Sequence, residues 1–195
     1  MNKPKLKIAV FASGYGSNFE AIAKACQSGE LEAEVVLMVC DKPTARVNTL
    51  ADELGVERMT FSAKDYASKA EYEAKIVERC EALGVELICL AGYMRLVGET
   101  LMEAYEGRMI NIHPSLLPSF AGKDAVERAM EWGVKVYGAT IHYVDSTLDG
   151  GKIIAQKAVE VMVDDTPETL QKRIMQQAEW IILPQAIDDI ANNRI

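Results

Sequence analysis

The sequence predicts an α/β fold: a mostly parallel, twisted sheet with helices on both faces and an antiparallel extension near the C-terminus. Three observations carry this. Apolar runs too continuous for half-exposed strands recur at Lys7–Ala12, Glu34–Cys40 and Leu87–Ala91. Segments with helical spacing separate them, which makes successive strands parallel. Val136–Val144 and Lys152–Val161 then follow each other across a turn, with no helix between, and so pair antiparallel.

Taken in order, Lys7–Ala12 is a first strand buried on both faces. From Asn18 onward, Phe19, Ile22, Ala23 and Cys26 share one helical face. Ser17, with Glu20 three residues later, has capping-box spacing. Glu34–Cys40 is a second strand, residues 45–54 a helix, and Val56–Phe61 a third strand. Lys69–Leu83 reads as a longer helix with Tyr72, Ile76, Cys80 and Leu83 in register, followed by a fourth strand at Leu87–Ala91. A short helix at Glu99–Tyr105 and a fifth strand at Arg108–Ile112 follow, then a helix near Lys123–Trp132 and the two final strands. Thr166-Pro167 is an N-cap with proline at the first helical position, opening a helix bent at Pro184 that runs nearly to the C-terminus. With no linker, repeat or low-complexity tract, residues 1–195 read as one domain.

Composition narrows the function classes. Of 195 residues, 21 are Lys or Arg and 29 are Asp or Glu, a net charge of −8 that argues against nucleic-acid or anionic-membrane partners. The N-terminal apolar stretch Ile8–Ala12 is too short for a signal peptide or a membrane span. Cys26, Cys40, Cys80 and Cys89 show no close-spaced metal pattern and sit in apolar segments, as buried free thiols of a cytoplasmic protein do. His113 and His142 are the only histidines, so acid–base chemistry near neutral pH has few candidates.

Three polar segments interrupt this apolar pattern. Ser13-Gly-Tyr-Gly-Ser-Asn18 joins the first strand to the first helix, where free N–H groups and the helix dipole attract phosphate. The alternative is a tight turn that needs glycine for packing. The loop matches neither the P-loop nor the spaced dinucleotide fingerprint, and Asp41 is only a weak ribose-binding candidate. At Met109-Ile-Asn-Ile-His-Pro114, alternation puts Asn111 and His113 on one face at the carboxyl end of a strand, where open α/β sheets bind ligands. An amide donor beside an imidazolium suits an oxyanion site, while a histidine satisfied by backbone is the alternative. Leu148-Asp-Gly-Gly151 is either ordinary hairpin chemistry or a carboxylate delivered to a histidine. His142 competes as that carboxylate's partner, but inside a strand a structural role is favoured for it.

Together, Ser13–Asn18, Leu90-Ala-Gly-Tyr-Met-Arg95, Asn111-Ile-His-Pro-Ser-Leu-Leu-Pro118 and Leu148–Gly151 resemble the phosphoribosylglycinamide formyltransferases, the folate-dependent enzymes of purine synthesis. The resemblance covers nearly the whole chain. It implies that Asn111, His113 and Asp149 are catalytic and that Gly16, Ser17 and Asn18 hold the phosphate of glycinamide ribonucleotide. It also implies that Glu179, with Gln176 in the same stretch, meets the ribose. Met94, Arg95, Leu96 and Val97 match the folate-pocket segment, and Asp145, Ser146, Thr147, Leu148 and Asp149 match the loop that closes over the pterin. Lys69 stands where the family usually has Arg, at a position that reaches an anionic group of the ligand; it keeps the charge and loses the bidentate fork. The loop Ser119–Ala125 lacks a histidine that the family often carries there.

The implied reaction takes the formyl group from N10-formyltetrahydrofolate, through a tetrahedral oxyanion, with no metal. Implied partners are small molecules, and the chain is a monomer or a homodimer. Rivals are a methionyl-tRNA formyltransferase, a formyltetrahydrofolate hydrolase, or a noncatalytic nucleotide-binding module. The first two carry extra domains for which this chain has no room.

Overall fold

The computed structural model describes residues 4–195. In β1 (Leu6–Phe11), Ile8 and Val10 face one side of the sheet and Ala9 and Phe11 the other, all fully buried, which is why the run is continuously apolar. The alternating half continues through α1 (Ser17–Ser28), β2 (Ala33–Cys40), α2 (Arg46–Glu53), β3 (Arg58–Thr60), α3 (Lys69–Leu83), β4 (Leu87–Leu90), α4 (Glu99–Ala104) and β5 (Met109–His113). The remainder is α5 (Ala125–Trp132), β6 (Val136–Tyr143), β7 (Ile153–Glu160), α6 (Pro167–Ile174) and α7 (Trp180–Ala191).

The strands form one seven-stranded sheet in the order β3-β2-β1-β4-β5-β6-β7. The first five are parallel, and β6 and β7 add on antiparallel. One apolar layer lies between the sheet and α1, α2, α5, α6 and α7; the other lies between the sheet and α3 and α4. The order reverses at β1, between β2 and β4, and the carboxyl ends on either side of such a switch point form a crevice. All four cysteines are free and buried, as expected, and burial pushes the thiols of Cys26 and Cys80 up to about 11 and about 12.

Two local expectations need correction, and one feature of the last helix is new. The third strand is only Arg58–Thr60, because it is a sheet edge paired with β2 alone, and Val56 N–H instead closes the end of α2 on Ala51 O. The Ser17–Glu20 capping box does not form. Gly16 is the N-cap, at φ +86°, so Ser17 lies inside the helix and Glu20 pairs with Lys24. The last helix carries Pro184 inside it, and just ahead of it runs a π turn at Met175–Glu179 that the sequence pattern did not signal. The prolyl ring crowds the carbonyl four residues back, at Trp180, and the wide turn ends there. The Thr166 cap does form: its hydroxyl accepts from Thr169 N–H at 3.3 Å, with Pro167 at the first helical position.

Candidate active site

The carboxyl ends of β1, β2, β4 and β5 meet in the crevice, and each delivers one polar segment. After β1, the left-handed turn at Gly16 starts α1. A Cβ there would lie 2.6 Å from Val47 Cγ2, so the residue is glycine for packing as well as for its φ. Glu20 N–H makes the first helical bond, to Gly16 O at 2.8 Å. The amides of Ser17, Asn18 and Phe19 precede it and point out of the helix end, the arrangement that receives an anion. Ser17 Oγ is turned to Met175 Sδ at 3.6 Å, and so does not block those amides.

The π turn brings a carboxylate to the same place. Glu179 is buried, its Oε2 accepts from Asn18 Nδ2 at 2.8 Å, and burial raises it above the usual carboxylate range. Asn18 Oδ1 is buried without a partner. A buried acid beside an orphaned amide oxygen lacks hydrogen-bond partners that a polyhydroxylated ligand could supply. Gln176 is exposed on the same turn.

At the end of β5, Asn111 and His113 share a face as the alternation predicts. The antiparallel register sets Asn111 opposite His142 and His113 opposite Thr140. Asn111 Nδ2 is 3.1 Å from His142 Nε2, and His142 Nδ1 is 2.8 Å from Tyr143 O. His113 is buried, with Nε2 3.0 Å from the Phe120 carbonyl and Nδ1 3.4 Å from Asp149 Oδ2. Both ring nitrogens thus face oxygen acceptors, which suits a ring carrying two N–H groups.

Asp149 is not an ordinary hairpin residue. It lies in the left-handed region at φ +51°, within the connection at residues 144–152, and its carboxylate points back into the crevice. Asp149 Oδ2 accepts from Gly122 N–H at 2.8 Å, while Oδ1 is 3.9 Å from His142. One carboxylate therefore bridges His113 and the loop that follows β5. Earlier in the connection, Asp145 accepts from Thr147 N–H and from its hydroxyl, and the latter bond holds Asp145 below the usual carboxylate range. Ser146 and Leu148 are exposed.

After β4, the segment Met94–Val97 lies along the crevice. Met94 and Leu96 are 69% and 68% exposed, and Leu148 in the connection after β6 is 63% exposed, so these segments present apolar side chains without a cover. Among the described residues the backbone groups of Arg95 and Val97 have no hydrogen-bond partner. Lys69 does not reach outward: its Nζ donates to Leu96 O at 2.9 Å. Asp41, the weak ribose candidate, is buried and engaged with Ser13 and Arg95. Two surface hollows, about 450 Å³ beside Cys26 and about 520 Å³ beside Tyr66, touch none of these segments.

Sequence reasoning missed the scaffold of the loop after β5. Thr140 Oγ1 donates to Ser115 O at 2.7 Å and accepts from Leu117 N–H at 3.0 Å, while Gln156 Nε2 donates to Leu117 O at 2.8 Å. It also weighed His142 as a rival partner for the aspartate and favoured a structural role for it inside the strand, without naming Asn111, which lies 3.1 Å from His142 Nε2 where Asp149 Oδ1 is 3.9 Å away. A polar residue facing Asn111 across an antiparallel pair was the available signal, but it required the register.

The chain matches the family model described as formyl transferase over residues 6–187. It is 53% identical over 168 residues to phosphoribosylglycinamide formyltransferase of Bacillus subtilis, covering 86% of each chain. It is 35% identical to the human trifunctional purine biosynthetic protein adenosine-3, covering 99% of this chain and 19% of that protein. The crystal structure of glycinamide ribonucleotide transformylase 1 from Symbiobacterium toebii superposes with a TM-score of 0.95 at 40% identity, covering 99% of this chain and 91% of that one.

Proposed function

The chain belongs to the formyl transferase family and acts as a phosphoribosylglycinamide formyltransferase of purine biosynthesis, and from that premise we propose which residues carry the reaction. The cosubstrate is N10-formyltetrahydrofolate and the acceptor is the amino group of glycinamide ribonucleotide. The carrying observation is the convergence of Asn111, His113 and Asp149 at one end of the sheet, with an anion-receiving helix end and uncovered apolar side chains.

The ribonucleotide phosphate sits on the amides after Gly16, at Ser17 and Asn18, and Glu179 accepts from the ribose hydroxyls with Gln176 alongside. The pterin lies against Met94–Val97, where the free peptide groups of Arg95 and Val97 read its polar edge, and the loop Asp145–Asp149 closes over it. Lys69 keeps one N–H on Leu96 O and has two left for the anionic end of the folate.

The neutral amine attacks the formyl carbon, and the carbonyl pair moves onto oxygen. Asn111 has one Nδ2 hydrogen on His142 and one free for that oxyanion. His113, held by Asp149, exchanges its Phe120 contact for the same oxygen. The attacking nitrogen loses its proton through water to N10 of the folate as the C–N10 bond breaks, leaving tetrahydrofolate and the formylated amide. Residues 1–195 act as one formyltransferase domain, as a monomer or a homodimer. The four unpaired thiols fit a reducing, cytoplasmic setting.

An absorbance assay of folate deformylation, run with and without glycinamide ribonucleotide, tests this. Conversion only with the ribonucleotide is expected. Conversion without it would make the chain a hydrolase, and no conversion with either would defeat the catalytic reading.

A further inference from the structure

The Met94–Gly98 segment is open to the crevice on one side and tethered on the other. Met94 N–H donates to Ser13 Oγ at 2.8 Å, and that hydroxyl donates to Asp41 Oδ1 at 2.5 Å. Arg95 Nε donates to the other oxygen of the same carboxylate at 3.0 Å. At the far end, Gly98 N–H donates to Glu73 Oε1 at 2.6 Å and Leu101 N–H to Oε2 at 3.3 Å. Asp41 is 8% exposed and Glu73 2%.

A buried carboxylate is costly unless its oxygens are matched, and each of these is matched by the same short segment and its immediate support. Asp41 stands at the end of β2 and reaches across the end of β1. Glu73 projects from α3 and caps α4, whose own N-cap, Gly98, has no side chain to do so. A Cβ on Gly98 would lie 2.7 Å from Glu73 Oε2, so only glycine lets the carboxylate approach. The tethers use Met94 N–H, the Arg95 side chain and Gly98 N–H, and they spare the peptide groups of Arg95 and Val97.

We propose that Asp41 and Glu73 are positioning residues for the folate: two buried carboxylates, on β2 and α3, that hold the Met94–Gly98 backbone so that its free peptide groups form a ready-made edge for the pterin. This rests on the assignment of that segment to folate. Neither acid touches a reacting atom. Their effect is preorganisation, which shows in the affinity for one substrate and not in turnover at saturation.

The test is steady-state kinetics of Asp41→Asn, Glu73→Gln and Ser13→Ala, with fluorescence titration of a non-transferable deazafolate and a thermal melt for each. Loss of one charge-assisted hydrogen bond predicts a KM for formyl-folate, and a Kd for the deazafolate, raised about tenfold in Asp41→Asn and Glu73→Gln. Ser13→Ala, which cuts only the relay to Met94, gives a smaller rise in the same direction. The ribonucleotide KM and kcat at saturating folate stay within about threefold. Unchanged folate parameters in folded variants, or an equal rise in both KM values, overturn the proposal. If Glu73→Gln does not fold, Asp41→Asn and Ser13→Ala decide it. Wild-type protein that transfers no formyl group would defeat the parent assignment instead.

Discussion

Asn111 Nδ2 and His142 Nε2 lie 3.1 Å apart, and the far side of the imidazole settles which of them donates. His142 Nδ1 is 2.8 Å from the Tyr143 carbonyl, which can only accept, so the ring proton is on Nδ1 and Nε2 offers a lone pair. Burial pulls His142 below the usual imidazole range and keeps that form neutral. Asn111 is therefore the donor. Its amide nitrogen, rather than its oxygen, is turned inward, with one hydrogen left for a ligand.

His142→Phe, which keeps the ring volume and removes the acceptor, is expected to lower kcat about tenfold by freeing the Asn111 amide to flip, with the fold retained. The wild type carries a pH signature of this residue. Because its folded value lies below the unfolded 6.5, the unfolded chain takes up the proton first. Stability is therefore lost as pH falls below 6.5 toward the folded value. Urea unfolding across this range should show that slope in the wild type and a flatter one in His142→Phe. Identical slopes would remove His142 as its source.

Asn111→Ala and His113→Ala should each cost on the order of 10²–10³ in kcat, the usual loss of one oxyanion donor, with little change in thermal midpoint. A variant that turns over at near the wild-type rate would reduce its residue to a strand-end structural role.

Asp149→Asn is nearly isosteric, and its side-chain oxygen can still accept from Gly122 N–H. The loop should stay in place. What is lost is the negative charge 3.4 Å from His113 Nδ1, and kcat is expected to fall by about 10² or more. A loss below about threefold would leave Asp149 as a turn residue that happens to point inward.

Glu179→Gln should raise the ribonucleotide KM while leaving that of the folate nearly unchanged. It should also alter acid stability in a defined direction. Burial lifts the folded carboxyl above its unfolded 4.5, so between the two values the folded state holds the extra proton. Wild-type stability then falls as pH rises from 4.5 through the folded value, and the glutamine variant lacks that fall. Equal slopes in the two proteins would argue against a buried, protonatable Glu179.

Much of the architecture followed from local pattern. The continuous apolar runs could only be strands covered on both faces, and the helical stretches between them required parallel crossovers, so the α/β class followed before any contact was known. The same alternation put Asn111 and His113 on one face of a strand end, because a strand repeats every two residues whatever surrounds it. Four motifs in order carried the family resemblance, since each is a short stretch of contiguous residues.

Contacts between distant segments belong to the tertiary structure alone. Ser17 and Glu20 have the spacing of a capping box, yet Gly16 takes the cap because its left-handed turn packs against Val47. A π turn at Met175–Glu179 runs just ahead of the last helix and brings Glu179 to Asn18. Asp149 could have been a solvent-facing hairpin residue; its inward direction depends on how the connection after β6 folds back over Gly122 and His113. Asp41, Glu73 and His142 belong to no motif. Each acts through a partner that is remote in sequence and adjacent in the sheet or in the helix layer above it. Periodicity sets which face a side chain takes, because that is a property of its own backbone; which partner it meets depends on register and crossover, and these exist only once the whole sheet has formed.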